Sequence, residues 1–177
     1  MGAEDVYQYR NKLEFTFVQE RWLTPEEIQL GDAVSKDEAC GFHVPGRFDW
    51  VLHVDQCHLQ HENHNRIRNF IFEKAKELDI PFYHPRDKKG VMRNIVLRNN
   101  RKGEWMLLVI TSLVDEAVSE LLQAIQSEFS EIKSLWSIIN DKVNDSFTDC
   151  PAQLIAGDPH LIESLDRPDG EPELTLL

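Results

Sequence analysis

Four groups of residues in this 177-residue chain carry side chains whose type and spacing could do chemistry. Cys57–His58, His61 and His64 follow the pattern C-H-x-x-H-x-x-H. On one face of a helix start, such a thiolate and imidazoles could meet zinc or another transition metal. There is one thiolate only, however, and no CxxC pair or acidic fourth ligand adjoins it. Histidines at a helix start serve equally well as caps or solvent-facing groups. The second group, Tyr9–Arg10–Asn11–Lys12, sets an aromatic ring, two cations and an amide at the root of a strand. That combination suits phosphate contact and stacking on an unpaired base. On residue types alone the plainer reading has Tyr9 packing at a strand end while Arg10 and Lys12 face water. The third group is Arg93 and Arg98, five apart and so expected on opposite faces of a regular strand. Arg at such places favours bidentate recognition of phosphate or carboxylate, and ordinary surface ion pairs, worth little, would use it too. Lys88 and Lys89 form the fourth group, inside the basic run Arg86–Lys102.

Other chemistry is missing. No GxGxxG follows a strand, and there is no GxxxxGK[ST] and no nucleophile elbow. The chain does not read as a self-sufficient enzyme.

The elements that must position these residues follow from periodicity. Leu13, Phe15 and Phe17 alternate with Glu14 and Thr16 over Lys12–Gln19, the pattern of a half-buried strand. Thr24–Pro25–Glu26–Glu27 has the cap and first-turn proline of a short helix. Gly41–His43 and Trp50–Val54 read as strands about the Pro45–Gly46 turn, after which Cys57 stands where strand gives way to helix. Ile67, Phe70, Ile71 and Leu78 fall at helical spacing, with Arg66, Arg68, Glu73, Lys76 and Glu77 assigned to the opposite face; Pro81 ends that helix. Val91–Asn99 and the doubly apolar Glu104–Thr111 are strands joined by a Gly103 turn, and the latter belongs centrally in a sheet. A second amphipathic helix spans about Val114–Phe129, and strands follow at Ile132–Asn140, Gln153–Ala156 and Leu161–Leu165. Hairpins interrupted by two helices predict an α+β domain: one mainly antiparallel sheet with two main helices packed on one face. Residues 1–165 make that domain, and the Pro/Gly-rich, acidic residues 166–177 read as a linker or frayed tail.

The net charge of −12 argues against a nucleic-acid partner until its distribution is considered. Met1–Lys102 holds 16 basic and 16 acidic residues, whereas Gly103–Leu177 holds 3 basic and 15 acidic, so the whole deficit lies in the second part. A local basic patch on such a protein is compatible with RNA contact. Three cysteines, Cys40, Cys57 and Cys150, suggest no disulfide framework, and without a signal pattern a reducing cytoplasm is expected. No apolar run reaches the roughly 20 residues of a membrane span.

Taken together, these motifs resemble the iron–sulfur-containing RNA (uracil-5-)-methyltransferases, which make 5-methyluridine in ribosomal or transfer RNA. The resemblance rests on Tyr9–Arg10–Asn11–Lys12 with Glu14 and Phe15, Gly41–Phe42, and Val54–Asp55–Gln56–Cys57 before a helix. It continues through Gly90–Val91–Met92–Arg93–Asn94 to Arg98, Val109–Ile110–Thr111, Ile138–Asn144 and Leu154–Leu165. It implies the central domain alone of such an enzyme. In the family, three cysteines before the YRNK segment and one after it hold a four-iron four-sulfur cluster. Cys57 matches the last, and the first three have no counterpart here. The S-adenosylmethionine-binding catalytic domain, its nucleophilic cysteine and its base are likewise expected elsewhere in the same polypeptide. By resemblance, then, this segment binds neither cofactor alone and helps hold RNA around the target uridine. Tyr9, Arg10, Asn11, Lys12, Lys88, Lys89, Arg93 and Arg98 are its expected RNA contacts. Two alternatives remain: a stand-alone metal module using Cys57, His61 and His64, and a protein-interaction module using the acidic second part.

Overall fold

The computed structural model describes residues 6–165 and 174–176. The elements run β1 (Lys12–Val18), α1 (Pro25–Gln29), β2 (Ala39–His43), β3 (Val51–His53), α2 (Glu62–Glu77), β4 (Met92–Asn99), β5 (Trp105–Thr111), α3 (Glu116–Glu128), β6 (Ile132–Ile139), β7 (Ala152–Gly157), β8 (Glu163–Leu165) and β9 (Leu174–Leu176). Seven strands form one sheet in the order β3-β2-β1-β4-β5-β6-β7, and β8 and β9 pair separately. Every neighbouring pair in the large sheet is antiparallel except β5–β6. Parallel strands need a crossover connection, and α3 supplies it.

Alternation along β1 decides which face is covered. Leu13, Phe15 and Phe17 turn to one side together with Ile95 and Leu97 of β4 and Leu107 and Val109 of β5. Ile67, Ile71 and Ala75 of α2 and Val118, Leu121 and Ile125 of α3 close over them. Each fully buried side chain of this size contributes about 1.5–3 kcal/mol, so this layer between sheet and helices carries most of the stability. The fold is thus the α+β arrangement expected, with both main helices on one face. The opposite face has a much smaller apolar cluster, Val96, Ile110 and Ile138, covered by Phe147 and Cys150 from the β6–β7 connection.

The helix starts are chemically explicit. In α1 the Glu27 amide donates to Thr24 Oγ1 and the Thr24 amide donates to Glu27 Oε2, a reciprocal capping box. The α2 helix begins at Glu62 because the His61 ring accepts from the Asn63 amide and caps it. In α3 Asp115 Oδ1 accepts from the Val118 amide. Gly41, in the middle of β2, is dictated by close approach: a Cβ there would lie 1.9 Å from the Leu52 carbonyl oxygen.

One helix residue departs from its expected side. Arg68, placed by periodicity on the solvent face, is 1 % exposed. Its guanidinium lies 4.8 Å from the Phe15 ring centre and donates to the Asp55 carbonyl, Asn65 Oδ1 and Asn69 Oδ1. These acceptors replace the water that a buried cation loses. The tail expected over residues 166–177 lies mostly outside the described residues; within it, Leu174–Leu176 pair with β8.

Candidate nucleic-acid interface

The residues before β1 are held as a strap across one end of the sheet. The Gln8 amide donates to the His58 carbonyl, and the Arg10 amide donates to that of Leu59, each at 2.9 Å. The Asn99 amide donates to the Asn11 carbonyl. Tyr7 meets the His58 ring edge-on at 6.0 Å. This pattern binds the YRNK segment to the lead-in of α2 on one side and to the end of β4 on the other. Cys57 is immediately next to the pairing residues.

The strap presents its side chains outward. Tyr9 is 57 % exposed, with the Arg10 guanidinium 5.8 Å from its ring centre. Gln8, Tyr9, Arg10 and Asn11 form one wall of a cavity of about 410 Å³, and Asn99, Asn100, Arg101 and Glu163 complete it. Asn100 fixes the floor: its Nδ2 donates to Glu104 Oε2 and to the Ile162 carbonyl, and its Oδ1 accepts from the Glu104 amide.

Beside this cavity Lys12 and Arg98 face each other directly across the β1–β4 ladder. Like charges opposite one another destabilise a sheet, and both side chains are exposed with no ion pair among the described residues. The nearest carboxylate on β1 is Glu14, whose pKa is raised by burial, a shift that Lys12 opposes.

Three other expected contacts lie elsewhere. Lys88 and Lys89 are exposed, but they sit on the loop before β4, at the opposite end of the sheet from Lys12 and Arg98. Seven β1 residues separate the two ends, roughly 20 Å at strand rise. Arg93 departs from the expectation more sharply. It is 1 % exposed and donates to the carbonyls of Asn140, Lys142 and Asn144 and to Asp145 Oδ1. Its guanidinium also lies 4.0 Å from the Tyr83 ring centre. A cation so enclosed has no donor to offer RNA; it pins the β6–β7 connection instead.

Cys57 is a free thiol, 5 % exposed within the main core. Its backbone is clamped by Asn65, whose Oδ1 accepts from the Cys57 amide and whose Nδ2 donates to the Cys57 carbonyl. His64 is wholly buried, its ring 4.3 Å from that of Trp105 and its Nδ1 against the His61 carbonyl. Burial lowers its pKa to about 4. Burial likewise drives the Cys40 thiol well above its ordinary range, against a smaller opposing effect of Arg68. Among the described residues no group of three or more His, Cys, Asp or Glu side chains could hold a metal ion. The Cys57/His61/His64 alternative has no geometric support among the described residues, and Cys57 shares its core cluster with one other free thiol, Cys40.

Sequence reasoning missed Asn99, Asn100 and Arg101 as cavity walls and Asn65 as the clamp on Cys57. Asn65, Arg68 and Phe72 stand at i, i+3 and i+7, one helix face. That spacing was the available clue that Arg68 turns inward with the core.

No protein-family model matches the chain. Over 170 residues it is 39 % identical to an uncharacterised RNA methyltransferase of Bacteroides thetaiotaomicron, covering 94 % of this chain and 37 % of that protein. It is equally similar, 39 % over 172 residues, to another from Porphyromonas gingivalis, with the same shares covered. The chain therefore spans little more than a third of the length of these relatives. The fold is similar to that of part of the Pyrococcus abyssi tRNA (uracil-54, C5)-methyltransferase, solved with S-adenosyl-L-homocysteine. That match has a TM-score of 0.66 and 16 % identity, over 98 % of this chain and 36 % of the other.

Proposed function

We propose that this segment is the RNA-holding part of an RNA (uracil-5-)-methyltransferase acting on ribosomal or transfer RNA. Methyl transfer from S-adenosylmethionine belongs to the remainder of such an enzyme, and this segment is catalytically incomplete alone. The observation that carries the reading is the sheet end at Tyr9–Lys12 and Arg98, in a segment homologous to RNA methyltransferases. Lys12 and Arg98 would take adjacent phosphates and Arg10 a further one. Tyr9, exposed and backed by a cation, would stack on an unpaired base. Asn11 and the Asn99–Arg101 turn would fix the strand's path over the cavity. The reading also takes Cys57 as one cluster ligand, with three more from outside the described residues; RNA holding does not depend on it. Cytoplasmic placement goes with this role, and among the described residues no helix is long and apolar enough to cross a membrane.

Fluorescence anisotropy with a labelled uridine-containing single-stranded RNA tests the reading. Each phosphate neutralised on a single strand adds about 0.7 to the slope of log affinity against log salt. The Lys12→Glu/Arg98→Glu variant is expected to bind at least tenfold more weakly at low salt, with a slope shallower by about one to one and a half. Unchanged affinity and slope in a folded variant would remove RNA from this end of the sheet.

A further inference from the structure

At the other end of the sheet lies a larger cleft of about 750 Å³. The segment after β1, the turn before β3 and the loop before β4 enclose it, with Arg21, Trp22, Lys36, Trp50, His84 and Arg86 on its walls. Trp22 and Trp50 lie nearly parallel, at 26° with ring centres 6.3 Å apart. The Arg47 guanidinium adds a third tier, 4.2 Å from the Trp50 ring centre. Backbone bonds fix both ring carriers, the Trp22 amide donating to the Val51 carbonyl and the Val44 amide to that of Trp50.

Neither tryptophan belongs to an apolar core cluster, and both are half-buried at the cleft. The two rings pack on each other and on Arg47 at the cleft instead of filling the core. The carboxylates nearby are mostly engaged: Asp49 with Arg86, and Glu27 with Arg21 at 2.9 Å. Glu20 is the other acid on the wall. Lys36 is exposed at the rim, and Lys88 and Lys89 are exposed on the same loop as His84 and Arg86. Planar rings with unengaged cations around them match a base with its phosphates. An acidic peptide would find charge here but no use for the aromatic ladder.

We propose that the Trp22–Trp50 cleft is a second RNA site, taking an unpaired nucleotide with its base on the tryptophan ladder and its phosphates toward Lys36, Lys88 and Lys89. The proposal rests on the RNA-holding reading and extends it: one RNA strand would be gripped at both ends of β1 and β4, leaving the stretch between them held and splayed.

The test is titration of this chain with a uridine dodecamer and, separately, with free uridine monophosphate, followed by tryptophan fluorescence and by anisotropy. Of the other two tryptophans Trp105 is buried and Trp136 is half-buried on β6, outside the cleft lining, and the Trp22→Leu/Trp50→Leu variant measures their background directly. The dodecamer is expected to quench the signal, whereas the Trp22→Leu/Trp50→Leu variant loses that quenching and about tenfold in affinity, the size of one base–aromatic stack. Trp50→Phe retains most of the affinity. Quenching by the monophosphate at higher concentration places recognition in a single nucleotide. If the tryptophan variant loses its circular dichroism spectrum, the Lys36→Glu/Lys88→Glu/Lys89→Glu variant decides, with the same tenfold loss expected. Full affinity in these variants overturns the proposal. If Lys12→Glu/Arg98→Glu still weakens binding, the RNA-holding reading survives that failure; if it does not, both fall.

Discussion

Arginine occupies three quite different positions in this chain, and residue type does not distinguish them. Arg98 is exposed opposite Lys12, Arg68 is buried on Phe15, and Arg93 is buried against Tyr83 and the β6–β7 connection. The five-residue separation of Arg93 and Arg98 presumes a regular strand, but the β4–β5 register shifts between Met92 and Asn94. Which arginine reaches solvent is set by acceptors 47 to 52 residues away, at Asn140 to Asp145, and no local pattern reveals them. His64 presents the same problem at neutral charge. Its place in C-H-x-x-H-x-x-H suggested a ligand, whereas its ring serves as packing against Trp105. That burial has a measurable consequence. The unfolded chain protonates His64 near its ordinary value of 6.5, and the folded chain only near 4. Protons therefore favour the unfolded state, and stability present above 6.5 is lost as pH falls toward 4. Between about pH 7.5 and pH 5 the loss is about 2 kcal/mol. Urea unfolding across that range is expected to show the decline in the parent protein and to show it largely abolished in His64→Gln. An equal decline in both would exclude His64 as its source.

At the scale of elements, legibility followed the period of the pattern. The strand at Lys12, the two main helices and the Thr24 cap with its first-turn Pro25 were visible because their signals are local. The parallel pairing of β5 and β6 was not, since it depends on where α3 returns the chain. The β6–β7 connection, residues 140–151, was not legible either. Its sequence is polar and loop-like, yet it folds back across the open face, seating Phe147 on Val96, Ile110 and Ile138. Asn140 stiffens it, donating to the Asn144 and Ser146 carbonyls. Arg93 is the anchor. In Arg93→Lys a compact ammonium replaces a planar fork and cannot reach three carbonyls and a carboxylate together. Buried acceptors left unpaired cost about 1–3 kcal/mol each. We expect a loss of about 3 kcal/mol in urea unfolding and faster amide exchange in residues 140–151, with RNA affinity in the folded protein changed less than threefold. A loss below about 1 kcal/mol would show that the connection holds itself in place without Arg93.

For the whole molecule, the sheet separates two chemistries. One edge region, built from the first part of the chain, carries exposed cations and aromatic rings at both strand ends. The other, built from α3 and the connections that flank β6 and β7, carries Asp115, Glu116, Glu120, Glu128, Glu131, Asp141, Asp145, Asp149 and Asp158, a large part of the acidic excess behind the net charge of −12. The sequence displayed that division as a count, but it did not show that Lys12 and Arg98 stand apart from Lys88 and Lys89, because only the antiparallel pairing of β1 and β4 separates them. Under the proposed reading an RNA strand would be attracted to the first region and repelled by the second, which would orient it before any base is read. The site can be mapped directly by photocrosslinking a thiouridine-substituted single-stranded RNA to this chain and locating the adducts by peptide mass spectrometry. Adducts within Tyr7–Lys12 and Asn99–Arg101 are expected, joined by Trp22 or Trp50 if the strand is gripped at both ends. Adducts confined to α3, β6 and β7, or none above the level of a non-binding control protein, would contradict the account.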